Sequence, residues 1–73
     1  MKLYEVLKGC IEENKRIRRT DWPEEDCVRT HDQGEDEIPN KDMLVKWITN
    51  QKRSYAWTPD QIDLFVNNWE YME

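Results

Sequence analysis

The 73 residues carry a net charge of −5, with 16 acids against 11 lysines and arginines. That balance argues against general nucleic-acid binding, which calls for a basic footprint, and no segment reaches the length of a membrane span. The chain reads as one domain over 1–73, small enough for its core to be marginal. Four tryptophans, three tyrosines and one phenylalanine partly offset this, since each ring buries a large area. Self-association would bury more, so a homo-oligomer is expected.

Leu3, Val6, Leu7, Cys10 and Ile11 recur at three and four residues, which predicts an amphipathic helix of about three turns ending near Asn14. Gly9 inside it marks a close packing point. The charged N-terminus has neither the apolar stretch nor the cleavage site of a signal peptide. Two cysteines give no disulfide framework, and the expected compartment is the cytoplasm. Lys15 to Trp22 reads as extended, with Ile17 inward and Arg16 and Arg18 on the other side by alternation. After Pro23, the acids Glu24, Glu25 and Asp26 form a turn into a second strand, Cys27 to Thr30, completing a hairpin.

His31 to Asp42, with Gly34, Pro39 and many acids, is expected to be a surface loop. Met43 to Thr49 alternates Met43, Val45 and Trp47 with Leu44, Lys46 and Ile48, the pattern of a central strand or one covered by a second subunit. Asn50 to Arg53 is a polar turn and Ser54 to Trp57 a returning strand. A short helix follows. Thr58 is its expected N-cap, Pro59 its first residue and Gln61 the partner in a capping box. Ile62, Phe65 and Val66 are placed on one buried face, Asn67 and Asn68 end the helix, and Trp69 to Met72 is the last strand. Adjacent strands with short connections predict an α+β domain built on an antiparallel sheet.

Catalytic groups are poorly represented. No Ser or Cys stands in a nucleophile elbow, and the Cys27/His31 pair reads as a structural cysteine and a solvated histidine. His31, Asp32, Glu35, Asp36 and Glu37 lack the spacing of a metal site, so neither metal nor cofactor is expected. The basic band Lys15, Arg16, Arg18 and Arg19 is more informative, with Lys46, Lys52 and Arg53 able to join it across the sheet. Guanidinium forks suit phosphate, and a tryptophan ring stacks on a base. Pairing of these arginines with surface acids is the competing reading, and the residues alone leave the two evenly balanced. Trp47 and Trp69 fit a core. Trp22 and Trp57, at strand ends beside prolines, are the better stacking candidates.

These residues resemble the Thoeris anti-defence two family of small phage proteins. Its members begin with a helix of the type F-x-x-A-L-x-x-L-K-x-G-K, continue with an Arg-rich strand ending in Trp, and close with W-x-x-x-Q-x-D-L-L-A-x-D-W. Leu3 to Lys8 and Asn14 to Trp22 look like the first part, and Trp57 to Trp69 looks like the second. Val66 and Asn68 stand where the family pattern has Ala and Asp. The resemblance implies a non-catalytic sponge that sequesters a cyclic ADP-ribose-type immune signal. Some members also hold cyclic dinucleotides, and the assemblies are multimeric. On that reading Arg18 and Arg19 hold phosphates, Trp22 and Trp57 stack, and Gln61, Asp63 and Asn67 read ribose or base edges. Some relatives are anti-CRISPR proteins. The alternative is therefore an acidic inhibitor that binds a host protein through the 24–42 acid cluster, and a small nucleotide hydrolase ranks last.

Overall fold

The computed structural model of the chain describes residues 1–31 and 40–72. The order is α1 (Leu3–Glu13), β1 (Arg16–Arg19), β2 (Cys27–His31), β3 (Asn40–Ile48), a 3-10 turn (Thr49–Gln51), β4 (Arg53–Ala56), α2 (Gln61–Phe65) and β5 (Trp69–Met72). The strands form one sheet in the order β4-β3-β2-β1-β5, and every neighbouring pair is antiparallel. The fold is α+β, as the run of short strands between two helical patterns predicts.

The apolar stripe of α1 covers one face of the sheet. Leu3, Val6 and Cys10 meet Ile17 of β1, Val28 of β2 and Trp69 of β5 in a single buried cluster. Burying a Leu, Val or Ile side chain stabilises by about 1.5–3 kcal/mol, so these few contacts carry much of the fold. Glu5 closes the first turn by accepting from Lys2 N at 2.7 Å. Asn14 ends the helix in the left-handed region at φ 58°. Gly9 faces Tyr71 so closely that a β-carbon there would lie 2.5 Å from the Tyr71 hydroxyl. The expected packing point is therefore the crossing of α1 over β5.

Ile17 is fully buried and Arg16 and Arg18 lie on the opposite face, as alternation requires. β1 ends at Arg19 rather than Trp22, because Trp22 N bonds back to Arg19 O at 3.1 Å and turns the chain. Asp26, buried in the turn before β2, accepts from Thr49 N at 2.9 Å and ties that turn to the end of β3. The expected loop over His31 to Asp42 is partly strand, since β2 runs to His31 and β3 starts at Asn40. Asp32, Glu35, Asp36 and Glu37 of the acid cluster lie outside the described residues. β3 lies between β2 and β4, an interior position, as its two apolar faces suggest.

The start of α2 differs from expectation. Asp60, not Thr58, is the N-cap, and Asp63, not Gln61, completes the box. Asp60 Oδ1 accepts from Asp63 N at 2.9 Å, and Asp63 Oδ2 accepts from Asp60 N at 3.0 Å. Two carboxylates at this spacing satisfy both orphan amides reciprocally, and Pro59 therefore precedes the helix instead of opening it. The helix also ends at Phe65, before Asn67 and Asn68, and Val66 is its C-cap. With five residues it turns only one short face inward, through buried Asp63. Val66 packs against the core, whereas Ile62 is 59% and Phe65 75% exposed. Trp69 is buried as expected. Trp47 is not part of the α1-side core but stands on the other face of the sheet.

Candidate ligand-binding site

The seven residues chosen from sequence divide between the two faces. Arg19, Trp22, Trp57 and Asp63 gather on the helix-covered side around Trp69. Trp22 meets the Trp69 ring edge-on at 5.1 Å, and Trp57 meets it edge-on at 6.0 Å. Lys46 Nζ lies 3.8 Å over the Trp22 ring, occupying a face that a base would need. Arg19 donates to Asp63 Oδ1 at 3.1 Å and to Asp21 Oδ2 at 2.8 Å. Trp69 Nε1 donates to Asp63 O at 2.9 Å. This group is packed and largely satisfied internally.

Arg18 faces the other way. It donates to Glu70 Oε2 at 2.9 Å, its cross-strand neighbour, and to Trp22 O at 2.6 Å. Gln61 is exposed on the first turn of α2. Asn67 is exposed beyond that helix, and its backbone carbonyl accepts from the Met1 amino nitrogen at 3.0 Å. Asn68, where the family pattern has Asp, donates to Asp21 Oδ1 at 3.1 Å. Asp60 is held below the usual carboxylate range, chiefly by the backbone N–H of Asp63. The carboxylates around α2 thus act first as helix caps and arginine partners.

A concave site lies on the open face of the sheet. It has a volume of about 220 Å³ and is lined by Arg16, Cys27, Arg29, Trp47 and Ser54. The strand registers build it. Cys27 stands opposite Trp47, and Trp47 opposite Ser54, making one row across β2, β3 and β4. The Ile17–Val28 pairing of β1 with β2, carried one residue along the antiparallel register, sets Arg16 across from Arg29 on that same face. Two guanidiniums therefore line the same hollow as an indole and a hydroxyl. The Cys27 thiol is pushed up from its ordinary value by burial, with Arg16 and then Arg29 opposing the shift, so it lines the wall as a neutral group.

Sequence reasoning named Arg16 within the basic band but missed Arg29, Trp47, Ser54 and Cys27 as site residues. The parity of each strand was legible, and Arg16 was placed opposite Ile17. What was lacking was the register that brings positions from four strands into one hollow. Among the described residues no group of three His, Cys, Asp or Glu side chains could hold a metal ion. No helix among them is long and apolar enough to cross a membrane.

A family model for the Thoeris anti-defense 2-like domain matches residues 1–72. The chain belongs to this family. Neither the curated proteins nor the solved structures compared with it provide a match. Membership ties this Thoeris anti-defense 2-like chain to counter-defence against the Thoeris system.

Proposed function

We propose that this Thoeris anti-defense 2-like chain binds a cyclic nucleotide immune signal of the cyclic ADP-ribose type inside the host cell and sequesters it without a chemical step. The single observation supporting the reading is the facing pair Arg16 and Arg29 beside Trp47 in one hollow of the open face. Guanidiniums lining a hollow suit a phosphate or pyrophosphate, and an indole beside them suits a base. The hollow is about 220 Å³, below the roughly 300–1,000 Å³ of sites that enclose a whole drug-sized ligand. It therefore seats a phosphate and part of a nucleoside, and the rest of the cyclic molecule extends beyond the wall of one chain. Arg18, on the same face, stands nearest this hollow of the residues chosen from sequence. Arg19, Trp22, Trp57 and Asp63 support the fold behind it.

Calorimetry with glycocyclic ADP-ribose and with cyclic dinucleotides tests the proposal. The folded protein binds one of them and releases it chemically unchanged. Arg29→Ala weakens binding at least about 10-fold, the loss of one charge-assisted contact. Trp47→Ala does the same through lost stacking, worth roughly 1–3 kcal/mol per base. Absence of binding by any of these nucleotides, or wild-type affinity in both variants, overturns it.

A further inference from the structure

The open face carries an ion pair beside the hollow. Carrying the Ile17–Val28 pairing one residue the other way sets Arg18 across from Cys27, so Glu70, Arg18, Cys27, Trp47 and Ser54 form a single row from β5 to β4. Arg16 and Arg29 stand in the neighbouring row of the same face. Arg18 Nη1 donates to Glu70 Oε2 at 2.9 Å, and Nη2 donates to Trp22 O at 2.6 Å. These bonds hold the guanidinium outside the lining of the hollow. Its charge still reaches the hollow. Burial raises the Cys27 thiol, and Arg16, Arg29 and Arg18 each oppose that rise. Glu70 is the carboxylate that offsets this third cation, and its side chain is 44% exposed.

We propose that Glu70 is a specificity-determining residue of the hollow, cancelling the Arg18 charge so that esterified phosphates are held and free terminal phosphates are disfavoured. The inference rests on the reading of the hollow as a nucleotide site. An esterified phosphate, as in a cyclic nucleotide, carries about one negative charge. A terminal phosphate carries roughly −1.5 to −2 at pH 7. Each added positive charge on the face favours the more highly charged group, because Coulomb attraction scales with ligand charge. Glu70 removes one such charge, and the advantage of the terminal phosphate shrinks. At about 10 Å, two strand spacings, a unit charge changes affinity by about 2-fold per ligand charge at low salt. The hollow's own lining does not make this distinction, since a linear nucleotide offers the same pyrophosphate to the guanidiniums and the same base to the indole. Glu70 acts through Arg18 and not by touching the ligand.

Calorimetry on the whole chain with glycocyclic ADP-ribose and with ADP tests this, since both contain an adenosine pyrophosphate and only ADP ends in a free phosphate. Glu70→Gln keeps an oxygen for Arg18 Nη1 and removes the charge. At about 10 mM salt, where the Debye length is roughly 30 Å, it tightens ADP binding about 2-fold more than glycocyclic ADP-ribose binding. At about 1 M salt, with a Debye length of roughly 3 Å, that difference disappears. Glu70→Asp keeps the charge on a shorter stem and keeps the wild-type preference, which a merely structural role would not. Arg18→Gln added to Glu70→Gln restores the wild-type preference, and circular dichroism shows that each variant is folded. A preference in Glu70→Gln equal to the wild type at low salt overturns the inference. So does a change that persists at 1 M salt, or one that appears equally in Glu70→Asp. Where the wild type binds glycocyclic ADP-ribose and Glu70→Gln leaves the preference unmoved, this inference alone fails. Where neither protein binds either nucleotide, the nucleotide reading fails and the inference falls with it.

Discussion

Replacing Asp63 by alanine removes two bonds that one buried carboxylate makes at once. Oδ1 accepts from Arg19 at 3.1 Å and Oδ2 from Asp60 N at 3.0 Å, with the Asp63 side chain only 8% and the Arg19 side chain 15% exposed. Losing half of a capping box costs about 1 kcal/mol. Breaking a fully buried ion pair by deleting one member costs about 3–5 kcal/mol. Arg19 keeps its second partner, Asp21, whose side chain is 54% exposed, so the buried guanidinium is not left without a counter-charge and the lower part of that range applies. The combined loss comes to roughly 4 kcal/mol, a large share of the stability of a small domain. For a domain of this size it corresponds to a fall of roughly 20 °C in Tm. Asp63→Asn retains one acceptor oxygen and loses the charge, and falls between the two proteins. Urea and thermal unfolding followed by tryptophan fluorescence read the effect, since Trp69 Nε1 bonds Asp63 O. A loss below about 1 kcal/mol for Asp63→Ala refutes the account, because capping alone reaches that size. Nucleotide affinity, measured at a temperature where Asp63→Ala remains folded, stays near wild type. A loss of binding there would return Asp63 to the ligand-reading role its sequence position suggested.

Gly9→Ala destabilises by about 1 kcal/mol, because crowding against the Tyr71 ring costs about 1–3 kcal/mol and exceeds the roughly 1 kcal/mol helix gain of alanine over glycine. In a Tyr71→Ala background the same change is stabilising, and a double-mutant cycle that finds no sign reversal refutes the close approach at 2.5 Å. Burial pushes the thiols of Cys10 and Cys27 up, so disulfide-exchange labelling of the folded protein at pH 8 runs at least about 10-fold slower than for a free thiol. Both thiols react at the ordinary rate in urea. A folded-state pKa above the unfolded value contributes stability that is full below the unfolded pKa and is lost as pH rises through the folded one. Unfolding free energy therefore declines on the alkaline side through these two groups, and unprotected thiols in the folded chain would contradict the burial.

Local pattern determined the element order. The spacing of Leu3, Val6 and Cys10 specifies α1 because one turn of helix sets that spacing. Alternation around Ile17 and Val45 specifies strands for the same kind of reason. The family motif at the two ends was legible too, because it consists of residue types at fixed offsets along the chain. The cap of α2 was misassigned because Thr58 and Asp60 are both good N-caps, and only the folded backbone decides which side chain reaches an amide. Apolar periodicity placed Ile62 and Phe65 inside, but a helix of five residues turns only Asp63 inward and leaves both exposed. The open-face hollow depended entirely on tertiary structure. Arg16, Cys27, Arg29, Trp47 and Ser54 come from four strands, and only their register, set by the core that forms on the opposite face, brings two arginines and an indole to one place.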